Sequence, residues 1–158
     1  MRSTRVFSLA TAAVLALAVT GCGGTTFKKD EPQTAVRDFL SEALSQKNGQ
    51  RACDYMTVEA QGDLVADAQE GTTCRAAMEL SGLVSGGEPV RDVATVKELD
   101  YEVTENDGET ATVVVTPEGG EAMTITLKHD EGLGALYEPE TPWRITGGTK
   151  PLIVGVEY

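Results

Sequence analysis

The sequence predicts an α+β domain in two layers, with helices first and an antiparallel sheet afterwards. Three observations predict it. Apolar residues recur at helical spacing between Glu31 and Leu80. Ser85-Gly86-Gly87-Glu88-Pro89 then breaks that periodicity and marks the switch to strands. From Leu99 to Leu127 apolar and polar residues alternate, with turn-forming residues between the runs.

The helices follow from local signals. Asp30 is placed to cap a helix that opens with Glu31 and Pro32, and Gln33 sits three residues after the cap. Val36, Phe39, Leu40, Ala43 and Leu44 form its apolar stripe, and Asn48-Gly49 suits its end. A short second helix carries Ala52, Cys53, Tyr55 and Met56. Thr57 caps the next set of turns, with Leu64 and Val65 as apolar positions, and Gly71 breaks it. Thr72 or Thr73 then caps a helix holding Cys74, Ala77, Met78 and Leu80. Together these segments predict a layer of three N-terminal helices.

The sheet is expected as a four-stranded meander. Leu99, Tyr101 and Val103 alternate with Asp100, Glu102 and Thr104, and Asn106-Asp107-Gly108 is a strong hairpin turn. Ala111, Val113 and Val115 continue the apolar face, with Val114 out of pattern. Pro117-Glu118-Gly119-Gly120 turns the chain into Met123, Ile125 and Leu127. A longer acidic loop leads to Trp143-Arg144-Ile145, the fourth strand. Residues 147–158 are expected to form a fifth, edge strand or an ordered tail. The odd-numbered face of the first three strands is apolar and the even-numbered face is rich in Thr and acid, so one side is buried and the other wet.

With 158 residues, the chain has room for one domain and appendages. Its 13 Lys and Arg face 25 Asp and Glu, a formal charge of −12, which argues against a nucleic-acid partner.

The N-terminus reads as an address. Arg2 and Arg5 precede an apolar run from Val6 to Val19, interrupted only by Ser8 and Thr11. As a helix it spans roughly 21 Å, short for a membrane crossing and suited to a secretory signal. It ends in Val19-Thr20-Gly21-Cys22, which resembles the lipobox of bacterial lipoproteins. The resemblance implies removal of residues 1–21 and a diacylglyceryl group on the Cys22 thiol, which brings two acyl chains such as palmitate. Two chains hold a protein stably on a membrane. The implied location is the extracytoplasmic side of the cell membrane. A signal peptide with a chance Cys, or an uncleaved anchor, are the competing readings. Residues 22–30 then form the lipidated Cys and a flexible tether, and residues 31–158 the domain. Lys28 and Lys29 either meet anionic headgroups or keep the linker soluble. Cleavage removes two arginines and no acid, so the formal charge becomes −14 and stands the head off anionic lipid.

With Cys22 assigned to lipid, Cys53 and Cys74 are an even remainder in an exported chain, which suggests a disulfide that staples two helices. A zinc site lacks ligands, and a catalytic thiol would have only His129 to activate it.

The helix-then-sheet order with its closing Trp-Arg-Ile strand resembles the nuclear-transport-factor-2-like, or cystatin-like, cone. The segments Ala52-Cys53-Asp54-Tyr55-Met56-Thr57 and Gly71-Thr72-Thr73-Cys74 also resemble small bacterial envelope lipoproteins with a paired Cys. The resemblance implies a curved sheet and a cavity between the layers, but no particular activity. Tyr55, Met56, Met78, Tyr101, Met123 and Trp143 are the candidates to line that cavity, or else to be ordinary core.

Chemistry-bearing motifs are sparse. Gly132-Leu133-Gly134 is not a phosphate loop, and Asn106-Asp107-Gly108 lacks the upstream acids of a calcium loop. His129 and Asp130 are adjacent on a strand and point to opposite faces, so they form no dyad. No cofactor or metal is implied. The expected function is a non-enzymatic binding or accessory module for an envelope protein partner. The alternative is a carrier or sensor of a small apolar ligand, with a cavity enzyme behind both.

Overall fold

In a computed structural model, described over residues 28–85, 88–90, 93–117, 121–130, 139 and 141–152, four helical segments precede the first strand. The lipobox, Cys22, residues 23–27 of the tether and residues 153–158 of the tail lie outside the described residues.

Helix α1 (Pro32–Leu40) starts with Pro at its first position, where the missing N–H costs nothing. Its N-cap is Glu31 rather than Asp30, and no side chain caps it. The backbone carbonyl of Asp30 instead accepts from Trp143 Nε1 at 2.8 Å. The segment continues as a π-helical turn, Ser41–Ser45. Lys47 adopts a left-handed φ of 48°, and the chain reverses there. Asn48, expected to close the first helix, opens the next: its Oδ1 accepts from Arg51 N at 3.3 Å and caps α2 (Gly49–Asp54). Thr57 caps α3 (Val58–Val65) through Ala60 N, and Thr73 caps α4 (Cys74–Glu79) through Ala76 N, each at 3.2 Å.

Short strands flank the break. Strands β1 (Leu83–Ser85) and β2 (Glu88–Val90) pair antiparallel as a separate two-stranded sheet. Helix α5 (Val93–Glu98) follows, and nothing in the sequence pattern predicted it. Six residues are too few to display a helical period. Its buried Val96 offers a carbonyl to the Tyr101 hydroxyl at 2.7 Å.

The main sheet is an antiparallel meander in the order β3 (Asp100–Asn106), β4 (Thr110–Thr116), β5 (Met123–His129) and β6 (Trp143–Gly147). Tyr101, Ala111, Val113, Val115, Met123, Ile125 and Leu127 are buried, and Asp100, Glu102, Thr110, Thr116, Thr124, Thr126 and Lys128 are exposed. The buried face packs on the α1 stripe of Ala35, Val36, Phe39 and Leu40, and α1 touches β3, β4 and β6. Register shifts at Val103/Glu105 and Thr126/Leu127 bend the strands.

The fold is thus α+β with a four-stranded antiparallel sheet. Beside β6 lies the α2–α3 connection, where Ile145 N donates to the Tyr55 carbonyl at 2.8 Å and Thr57 N to the Ile145 carbonyl at 2.9 Å. No fifth strand forms from residues 147–152. Gly148 turns away at φ 87°, where a side chain would strike the Thr124 carbonyl, and Pro151 has no N–H for a ladder. Lys150–Leu152 instead forms a 3-10 turn that buries Leu152 completely.

Candidate functional site: a polar pocket beside Tyr55

Cys53 and Cys74 are bonded, with their Cα atoms 6.2 Å apart, and the bond joins α2 to α4. The two helices approach closely. A side chain at Gly49 would collide with the Arg75 carbonyl.

The six candidate cavity residues divide unequally. Met56, Met78, Met123 and Trp143 are at most 4 % exposed and belong to one continuous apolar core, with Tyr101 beside them at 8 %. Only Tyr55 is half-buried and opens onto a pocket.

That pocket holds about 200 Å³ and is lined by Lys29, Thr34, Asp38, Arg51, Tyr55, Pro139 and Thr141. Helix geometry explains four of these residues. Thr34 and Asp38 are four apart on α1, so they share a face. Arg51 and Tyr55 are four apart at α2 and present a second face to the same space. Lys29 comes from the segment before α1 and Thr141 from the segment before β6.

The charges around Tyr55 are of both signs. Asp38 Oδ1 accepts from Arg37 Nη2 at 2.9 Å and from its Nε at 3.1 Å. Arg51 Nε lies 3.6 Å from Oε1 of the largely buried Glu42. The other Glu42 oxygen is buried without a hydrogen-bond partner among the described residues. Arg144 is buried and donates to the carbonyls of Thr141 at 2.7 Å and Trp143 at 3.0 Å. Burial lowers its pKa, and nearby Asp130, Tyr55 and Asp54 oppose that shift.

Burial pushes the Tyr55 phenol up to about 12. Asp38 and Glu42 add to the shift, and Arg51 and Arg144 partly offset it. At neutral pH the group is therefore an intact hydroxyl, able to donate a hydrogen bond but not to abstract a proton. Burial also raises the Tyr101 phenol, whose proton goes to Val96.

His129 lies elsewhere. Its ring meets Trp143 edge-on at a centroid distance of 4.9 Å, and it borders a surface depression with Gly108, Glu109 and Lys128. Among the described residues, no group of three or more His, Cys, Asp or Glu is placed to hold a metal ion.

Sequence reasoning found Tyr55, named Lys29 only as a tether residue, and missed Thr34, Asp38, Arg51 and Thr141. The available signal was the two four-residue spacings, which a merely solvated helix face also shows. No protein-family model matches the chain, and no curated protein or solved structure matches it either. Among the described residues, no helix is long and apolar enough to cross a membrane.

Proposed function

We propose that this chain is a lipid-anchored extracytoplasmic lipoprotein whose head is a non-enzymatic binding module for an envelope protein partner. The disulfide supports the address. It uses two of the three cysteines and leaves Cys22 as the one thiol for acylation. A disulfide also fits an oxidising compartment. The cone-like reading of the fold draws support from a helix laid across one face of a sheet bent by two register shifts.

One observation carries binding over catalysis. The Tyr55 pocket presents a hydroxyl held neutral, an arginine beside a carboxylate, and a carboxylate bonded to an arginine. Such groups hold a ligand by fixed charge and hydrogen bonds. An apolar-ligand carrier has less support, because the residues expected to line its cavity fill the core.

Two measurements test the proposal. Cys22→Ala is expected to abolish acylation, seen in the intact mass, and to remove the protein from the acylated membrane fraction. An unchanged mass and fraction would end the lipoprotein reading. Crosslinking in intact cells is expected to join the head to an envelope protein, and its loss with Arg51→Ala would place the contact at the pocket. A crosslinking pattern with no neighbour would remove the partner.

A further inference from the structure

The pocket lies at the end of the domain where the chain arrives from its N-terminus. Glu31 N donates to the Lys28 carbonyl at 3.1 Å, and the Thr34 hydroxyl donates to the same carbonyl. Trp143 Nε1 holds the Asp30 carbonyl at 2.8 Å. Lys29, between these fixed points, is part of the pocket wall. Only residues 23–27 separate Lys28 from Cys22, so the reach between them is at most about 20 Å. On the lipid-anchored reading, on which this step rests, the pocket stays within reach of the bilayer surface.

The pocket lining carries both signs of charge, with Arg51 beside Glu42 and Asp38 held by Arg37. Arg51 offers a planar fork of donors, Lys29 a compact cation and Tyr55 a neutral hydroxyl. These suit a phosphate. Asp38 offers acceptor oxygens to an ammonium group. At about 200 Å³ the space is smaller than the roughly 300–1,000 Å³ sites that take drug-sized molecules. A headgroup fits that scale. Net charge narrows the class further. Among lipid headgroups, a head of −14 is repelled by anionic ones, whereas a zwitterionic phosphodiester meets no such field. One aromatic ring in the wall makes no cage for a quaternary ammonium, which has no N–H to give Asp38.

We propose that the Tyr55 pocket binds a phosphate linked to a primary ammonium, the phosphoethanolamine group. Arg51, Lys29 and Tyr55 hold the phosphate, and Asp38 holds the ammonium. The group has two sources, a phospholipid headgroup and a free phosphomonoester.

Calorimetric titration of the full mature protein in a maltoside detergent tests this without needing the anchor. Intact mass reports separately whether Cys22 is acylated. O-phosphoethanolamine is expected to bind saturably and to change the emission of Trp143, the only tryptophan. Phosphocholine is expected to bind about tenfold more weakly, the worth of one charge-assisted hydrogen bond. Asp38→Asn, an isosteric change at a side chain 41 % exposed, is expected to weaken phosphoethanolamine and leave inorganic phosphate unchanged. Tyr55→Phe is expected to weaken both. Equal binding of phosphocholine, no saturable binding, or wild-type affinity in Asp38→Asn overturns the proposal. Reconstitution into phosphatidylcholine vesicles with and without phosphatidylethanolamine then assigns the source. A Trp143 change that requires phosphatidylethanolamine marks the headgroup, and one that requires the added monoester marks the free ligand.

Discussion

The helical layer and the sheet are held together by different physics. Helices α2, α3 and α4 have six, eight and six residues, well below the length at which an isolated helix is stable in water. Each depends on a side-chain cap and on Ala52, Leu64 or Met78 docking into the core, and the Cys53–Cys74 bond adds a tie between α2 and α4. The sheet depends on its own strands. Strands β3, β4 and β5 are seven residues each; β4 and β5 pair without a register shift through their apolar face, and β3 joins them through one bulge. The staple belongs to the layer that local interactions cannot hold.

That comparison can be broken at either side. Ile125→Ala, at a fully buried position of the central β5, should cost about 4 kcal/mol in urea unfolding and lower the whole transition. Replacing Cys53 and Cys74 together by Ala should cost about 3 kcal/mol, the loop-closure value for their separation of 21 residues. Amide exchange should then rise in α2 and α4 while β4 and β5 keep their protection. Uniform loss of protection would show the two layers to be one cooperative unit.

Smaller effects come from the tyrosines. Tyr101→Phe removes the donor to the buried Val96 carbonyl and should cost about 1 kcal/mol. Both phenols have folded-state pKa values raised, Tyr55 to about 12, because burial disfavours the phenolate. A raised pKa means that the folded state keeps its proton where the unfolded state loses it. The stabilisation is complete below about pH 10, the ordinary tyrosine value, and fades as pH rises through 12. Stability measured from pH 9 to 12 should therefore fall in the wild type and fall less in Tyr55→Phe. The smallest effect belongs to Asp107, whose carboxylate accepts from the backbone N–H groups of Thr110 and Glu109 and from the Thr110 hydroxyl in the β3–β4 turn. These bonds lower its pKa below the ordinary aspartate value, so its contribution is present above that value and is lost as pH falls through the lowered one. Asp107→Asn should flatten the acid limb of the stability curve slightly.

Much of this architecture is legible residue by residue. Alternation from Leu99 to Leu127 places every buried side chain of β3 to β5, because a strand side chain can point only two ways. Thr57 and Thr73 announce two helix starts through the hydroxyls that satisfy the first N–H groups. Asp30 is expected to cap the first helix and caps none, and Asn48 is expected to end that helix and instead caps the next. Trp143 takes the Asp30 carbonyl, and the left-handed Lys47 shifts Asn48 into the next helix. Helix α5 left no trace because its six residues are too few to display a helical period.

By itself the sequence determined the order of helices and sheet, the buried face of the meander, and a count of three cysteines that leaves one outside the disulfide. Those are properties of neighbours along the chain, where period and capping act over a few residues. Only the tertiary structure decided that Met56, Met78, Tyr101, Met123 and Trp143 are core and that Tyr55 opens onto a polar pocket. Its wall draws on Lys29, the α1 pair, the α2 pair and Thr141, which lies 112 residues from Lys29 along the chain. No local pattern encodes that meeting. It exists because α1 lies across the sheet and the α2–α3 connection pairs with Ile145, bringing four distant segments to one edge.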